Sequence, residues 1–521
     1  MCDLILFNAN VITMDPAKAG AELIAISGNQ IAAVGDNSLL RRLKQPKTRI
    51  IDCGKRTLLP GFIDAHCHLH AYAESLVSLD LSPRAHVRSL IDIQSRIRDV
   101  SGSRPPGTWI RGKGYNEFYL AEERHPNRRD LDSAAPHHPI KLTHRSGHAH
   151  ILNSLALELA GITAETGDPP EGFIDREPET GMPTGILYGM GKYLARRIPP
   201  LDAAEIERGL ILANEKLLSY GITSIHDASS ANDLGMWSLF EGWKARGILQ
   251  PRLTAAVGLK SFREFKQILH EPRTGDFGPW PAAVKIIAGE VAGSLYPTRE
   301  ELNEQISAIN TAGLQAMVHA VEEPVIEAVC DSISHALEQQ PREDHRHRIE
   351  HCSVCPPSLI RRLAKLGIMV VTQPSFIYYN GDRYLKTVPG DQLEMLYPIG
   401  SMLKSGLRVG FSSDFPVSDP NPLVGICAAV TRMTETGSRV LPDEGISLPE
   451  ALERYTMGSA SASFQESVKG SLAPGKAADI IMLDEDPFRI EAACIKDIRV
   501  LMTIVGGRIV WERRCLPPCS I

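Results

Sequence analysis

The sequence predicts an α/β fold: a (β/α)8 TIM-like barrel with a small β-domain built from both ends of the chain. Three observations predict it. Eight short apolar runs in the middle of the chain are separated by amphipathic helical stretches, the pattern of a repeated β-α unit. The two ends resemble one another in carrying strand-turn-strand hairpins. Polar residues capable of chemistry close most of the apolar runs, and a barrel of this kind presents the C-terminal ends of its strands as one functional face.

The elements follow in chain order. In residues 1–60, "ELIAISGNQIAAVGD" reads as strand, tight Gly-Asn turn and strand. In residues 470–521, "KAADIIMLDED" reads as a strand and "VLMTIVGGRIVWER" as a Gly-Gly hairpin. Isolated hairpins do not bury their faces, so the two ends are expected to pair with each other. Residues 61–469 form the barrel. Its runs are "LLPGFIDAHCH", "PIKLTHRSGH", "GITSIHDAS", "AAVKIIAGE", "LQAMVHAVE", "HRIEHCS", "GIMVVTQPS" and "LRVGFSSDFPV". Helices such as "TREELNEQISAINTAG" and "PSLIRRLAKLG" lie between them, each closed by a glycine. Long Gly- and Pro-rich loops at 101–108, 167–185 and 378–391 are suited to shaping a pocket.

Composition narrows the function classes. With 43% hydrophobic and 23% charged residues, the chain reads as a globular enzyme. A net charge of -6 gives no electrostatic basis for binding nucleic acid or an anionic membrane. No apolar run is long enough to span a bilayer. The start, "MCDLILFNANVITMD", lacks the basic flank of a signal peptide. Ten cysteines in 521 residues are too dilute for a disulfide scaffold, which places the chain in the reducing cytoplasm. Cys67 is expected as a buried small hydrophobe, and Cys515 and Cys519 in the tail form a weak metal pair. The partner expected is a small-molecule substrate, with a homodimer left open.

The chemistry starts at "LLPGFIDAHCHLH". His66 and His68 are two apart on a strand, so their imidazoles share a face and can grip one ion. His319 and His351 close later runs, Asp414 closes the last, and Lys285 is expected at the end of the fourth strand, in "AAVKIIAG". A barrel gathers all six over one opening. A buried ammonium is costly without a partner. Reaction with carbon dioxide would turn Lys285 into an N-carboxylated lysine, an anion able to bridge two divalent metal ions, with zinc the first choice.

These residues resemble the amidohydrolase superfamily, and within it amidohydrolase family 3, the YtcJ-like branch that includes N-substituted formamide deformylases. "GFIDAHCH", the fourth-strand lysine, the two separate histidines and "SSD" carry the wider resemblance. "HPNRRDLDSAAPHHPIKLTHRSGHAHILNSLALELAGI", "FSSDFPVSDPNPLVGICAAVTR" and "GSLAPGKAADIIMLDEDPF" carry the narrower one. The resemblance implies a barrel beside a β-sandwich made from both termini. It implies His66 and His68 on a buried metal, His319 and His351 on a more exposed one, Lys285 bridging as a carbamate, and Asp414 near the first metal as proton shuttle. Two stretches depart from the family pattern, "KIIAGEV" and "HAVEE". Glu290 in the first is a competing carboxylate ligand.

The expected reaction is hydrolysis of the C–N bond of a linear amide, an N-substituted formamide or other N-acyl compound, by a metal-bound hydroxide that Asp414 helps to form. Alternatives are hydrolysis of carbamates, esters or cyclic amides on the same centre, or a regulatory member of the fold without turnover. His144, Arg145 and His148 in "HRSGHAH", with Tyr378, Tyr379 and Phe376, are candidates for substrate contact or for ordinary packing.

Overall fold

The computed structural model describes residues 2–18, 20–169, 172–268, 283–291 and 293–513. Cys515 and Cys519 lie outside them. The chain divides into two compact units, Met1–His68 with Asn214–Ile521, and Leu69–Ala213.

The first unit holds two parallel sheets. In one, Phe62–Cys67 pairs with Ile222–Asp227, which pairs with Arg252–Ala255. The other runs in chain order through Val257–Gly258, Ala283–Ile287, Gln315–Ala320, Arg348–His351, Met369–Thr372 and Val409–Phe411. Neither sheet closes on itself. Every residue of Arg348–His351, Met369–Thr372 and Val409–Phe411 is buried, as expected of parallel strands covered on both faces. Helices connect them. Arg299–Thr311 starts from Thr298, whose side chain accepts from Glu301 N while the Glu301 carboxylate accepts from Thr298 N. Pro357–Leu366 stops at Gly367 in the left-handed conformation.

Seven of the eight expected runs supply these strands, and "PIKLTHRSGH" does not. Its strand, Ile140–His144, belongs to the second unit and pairs antiparallel with Ala149–Leu152. Ile140 and Leu142 are buried whereas Lys141 and Thr143 are half-buried, the period-two pattern of a sheet with one covered face. The place in the parallel series goes to Arg252–Ala255, whose sequence "RLTA" ends on no His, Asp or Lys. Lys285 also sits inside its strand, not at its end, with Met317 as its cross-strand partner.

The chain ends do combine. Thr57–Pro60 pairs antiparallel with Ile480–Leu483, and that strand with Val500–Val505, within one six-stranded sheet. A four-stranded sheet formed by Gln30–Gly35, Leu23–Ser27, Leu4–Phe7 and Arg49–Asp52 shares a core with it, in which Leu6, Ile24 and Ile26 meet Leu58, Ile480 and Ile504. The turn before Arg508–Glu512 uses Gly506 and Gly507, both at positive φ. A Cβ on Gly507 would lie 2.3 Å from the Gly28 carbonyl oxygen, so glycine is required there on two counts.

The second unit is built on a six-stranded mixed sheet ordered Phe173–Arg176, Pro183–Tyr188, Ala149–Leu152, Ile140–His144, Ile110–Tyr115 and Leu79–Asp80. Ile110, Leu142 and Ile151 place one of its faces in a buried core with Ile93 and Ile97 of helix Leu90–Ser101.

Candidate metal centre

Alternation along Phe62–Cys67 gives the site its first layer. Asp64 and His66 share one face with His68 just beyond the strand, while Cys67 turns away, fully buried, with its thiol 3.5 Å from the His226 carbonyl oxygen. The segment after Val409–Phe411 docks alongside. Asp414 N donates to His66 O at 3.0 Å and His68 N donates to Phe415 O at 2.9 Å. These bonds carry the Asp414 carboxylate to the two imidazoles. His66 Nε2, His68 Nε2 and Asp414 Oδ1 converge, with ligand atoms within 4.8 Å of one another. Asp414 Oδ1 is buried and has the Nε2 atoms of His68 at 3.1 Å and His66 at 3.6 Å as its neighbours.

Second partners orient each imidazole. His66 Nδ1 donates to Glu350 Oε2, so its Nε2 keeps the lone pair. His68 Nδ1 is 2.9 Å from Ser229 Oγ. His351 Nδ1 donates to Gln373 Oε1 at 2.7 Å, and Gln373 Nε2 donates in turn to Ser412 Oγ at 2.9 Å. Three imidazoles are thereby held by Nδ1. Asp414 and His351 both adopt left-handed backbone, φ 59° and 72°, an uncommon conformation for residues with a Cβ and one found at sites held by their surroundings.

Lys285 Nζ lies 3.5 Å from His66 Nε2 and is fully enclosed. Burial pulls its pKa down to about 8 against the opposing pull of Glu350 and Asp414. Burial likewise holds His66 well below the ordinary imidazole range, with Lys285 adding to the effect. Burial alone would raise Asp414, but His68, His66 and His351 bring its carboxyl down to about 2. The set is two imidazole nitrogens and one carboxylate, a donor chemistry that suits zinc.

The structure groups three of the six expected ligands in this way. His319 and His351 pack edge to face with ring centroids 4.5 Å apart, and the His351 ring is 5.1 Å from that of His66. Glu290 does not join: it is exposed, on an antiparallel ribbon opposite Leu295. Tyr378 and Tyr379 lie edge to face on helix Ser375–Thr387, and Tyr378 packs on a buried cluster containing Phe376 and Ile377. His144, Arg145 and His148 belong to the second unit. There His144 Nε2 is 2.9 Å from Glu117 Oε2, Arg145 N donates to Tyr115 O, and His148 is exposed.

Several residues escaped the sequence reading. Glu350 and Arg348 are two apart on one buried strand, and Arg348 Nε donates to Glu350 Oε1 at 2.6 Å. Asp64 accepts from Ser413 Oγ at 2.6 Å and from His66 N at 3.2 Å, and burial lifts its carboxyl to about 7. Their signal was charge repeating at period two inside a strand otherwise apolar. The expectation that the cysteines include no C-x-x-C pair is wrong: Cys352-Ser-Val-Cys355 follows directly after His351. Both thiols are free and buried.

Residues 49–511 match the amidohydrolase family. The chain belongs to the amidohydrolase family. It is 31% identical to an N-substituted formamide deformylase of Arthrobacter pascens, over 98% of this chain and 99% of that protein. It is 27% identical to the putative amidohydrolase YtcJ of Bacillus subtilis, over 96% and 98%. Among solved structures, an uncharacterized metal-dependent hydrolase from Pyrococcus furiosus superposes with a TM-score of 0.73 at 26% identity, covering 93% of this chain and 100% of that one. This amidohydrolase is therefore a hydrolytic enzyme acting on C–N bonds other than peptide bonds of small molecules. No described helix is long and apolar enough to cross a membrane.

Proposed function

We propose that this amidohydrolase cleaves the C–N bond of a linear amide, an N-substituted formamide or another N-acyl compound, at a divalent-metal centre. The observation that carries the reading is the convergence of His66 Nε2, His68 Nε2 and buried Asp414 Oδ1, with both imidazoles engaged through Nδ1. A bound divalent ion, zinc for preference, supplies acidified water and polarisation of the carbonyl. His66, His68 and Asp414 would hold one ion, and His319 and His351 a second. Lys285, whose depressed pKa favours the neutral amine that adds carbon dioxide, would contribute carbamate oxygens to both. Asp414 would take the proton of the attacking water on its carboxylate and pass it to the departing nitrogen. Tyr378 and Tyr379 would shape the substrate site.

The proposal includes the closed barrel over 61–469, interrupted in the chain by Leu69–Ala213, and a β-sandwich of 1–60 with 470–521. The bonds from Asp414 N to His66 O and from His68 N to Phe415 O support closure, because they join the last parallel strand's extension to the first strand. The core shared by the two terminal sheets supports the sandwich. The eight described cysteines are all free, which suits a reducing cytoplasm. The formamide class draws on the Arthrobacter pascens relative.

The test is a panel of N-formyl, N-acetyl, cyclic-ureide and ester substrates with zinc-loaded enzyme. Fastest turnover is expected for an N-formyl amine, releasing formate and the free amine in equal amounts. Hydrolysis confined to cyclic ureides or esters would overturn the linear-amide reading.

A further inference from the structure

The second unit contains a cavity of about 150 Å³ that the proposed hydrolysis does not use. Its floor is one face of the six-stranded sheet. Ile110 and Leu142 point to the opposite, core face, so Arg111, Lys113, Lys141 and Thr143 share the cavity face by alternation. Arg111 and Lys141 are direct cross-strand partners, and Lys113 is the partner of Thr143. Like charges placed directly opposite each other destabilise a sheet. The described surroundings compensate only part of this charge. Lys113 Nζ is 2.8 Å from Glu74 Oε2, and Arg111 donates to the Pro199 carbonyl oxygen. The lining therefore carries three cations against the carboxylate of Glu74, and with Glu205 also acting on Arg111 two carboxylates face three cations. Burial and the neighbouring Lys113 pull Lys141 down to about 8, the response of an ammonium in an enclosed and already positive place. The opposite wall differs in chemistry. It is the apolar segment 194–201, including Leu194, Ile198 and Pro200.

We propose that this cavity binds a small organic anion, with its carboxylate or phosphate head on Arg111 and Lys141 and a short apolar body against Leu194 and Ile198. The guanidinium offers a planar fork for the head group, and Lys141 adds a point charge. The cavity volume matches that of sites that hold a benzene-sized guest, so the body is limited to a few carbons. The inference is independent of the hydrolysis reading, since none of the residues lining the cavity is assigned to that reaction.

Titration calorimetry of the metal-loaded enzyme with butyrate, butyl phosphate and inorganic phosphate tests it. Saturable binding is expected for butyrate or butyl phosphate, at least tenfold tighter than for inorganic phosphate. The tighter of the two organic anions identifies the head group. Lys141→Met should weaken that binding at least tenfold, while Lys141→Arg should keep it within threefold. Arg111→Met serves in the same way should Lys141→Met fail to fold. Butyrate bound at the metal centre would be indifferent to Lys141→Met, so unchanged binding in that variant overturns the proposal. Equal or tighter binding of inorganic phosphate also overturns it, because the apolar wall would then contribute nothing.

Discussion

Glu350 joins His66 to Arg348. One carboxylate oxygen accepts from His66 Nδ1, the other accepts from Arg348 Nε, and Arg348 also donates to the Ala65 carbonyl oxygen at 2.8 Å. All three side chains are buried. The carboxylate fixes the His66 tautomer and raises the basicity of Nε2, while the guanidinium offsets its charge and holds it in place. Glu350→Gln keeps the shape and removes the charge. Metal affinity is expected to fall roughly 10–100-fold, the usual effect of losing a carboxylate behind a ligating histidine. Competition with a fluorescent zinc chelator reads this directly, and an unchanged affinity would assign His66 to packing.

Asp414→Asn should leave a folded protein that hardly turns over. Asparagine preserves the backbone bond from residue 414 to His66 O but lacks the carboxylate that takes the proton. A drop in kcat of roughly 10²–10⁴ is expected, with unchanged far-ultraviolet circular dichroism. A kcat within threefold of the parent would move the proton transfer to another group.

The contrast between Asp414 and Glu350 shows what the sequence makes legible. Asp414 closes an apolar run, and a polar residue at the end of a strand stands out. His66 and His68 stand out by spacing alone. Glu350 lies between Ile349 and His351, and "RIEH" reads as the polar close of a strand when it is in fact wholly buried. Only the tertiary arrangement shows that Arg348 neutralises Glu350 there. The terminal hairpins were legible because turn glycines and alternating apolar residues are local signals. Assigning Ile140–His144 to the parallel series failed because one strand ending in histidine looks like another. Its half-buried alternation was the better guide, and Arg252–Ala255 ends on an alanine.

Lys285→Ala should lose metal and activity together. Nζ is enclosed beside His66 Nε2 at 3.5 Å, where an unmodified ammonium would oppose any cation. Removing the side chain leaves room for a small carboxylate. Acetate or propionate added with zinc should restore part of the activity, in proportion to occupancy. Full activity without added acid, or an intact-mass measurement under native conditions showing no added carbon dioxide on the parent protein, would rule out the carbamate.

Lys469 supplies a pH dependence of stability separate from the metal centre. Its side chain is buried, and burial lowers its pKa to about 7 against the favourable pull of Asp479. Asp479 is already engaged, accepting from Arg252 Nε at 2.7 Å and Gly506 N at 2.8 Å, so it compensates Lys469 only in part. In the unfolded chain the group titrates near the ordinary lysine value of 10.5. Below about pH 7 it is protonated in both states, and the folded state bears the whole cost of the buried charge. As pH rises above about 7, the folded lysine is neutral while the unfolded one still binds its proton, so stability increases with pH. The slope approaches about 1.4 kcal/mol per pH unit, or roughly 2 kcal/mol between pH 7 and 8.5. Above pH 9 the buried Cys53 and Cys330 thiols, raised to about 12, oppose the trend, which confines the measurement to that window. Lys469→Met should flatten the slope and raise stability at pH 7. The difference between parent and variant isolates Lys469 from Lys141 and Lys285, whose shifts have the same sign. Urea denaturation at pH 7 and 8.5 supplies the comparison. A variant that is less stable at pH 7, with the parent's slope retained, would show that Lys469 is a satisfied cation.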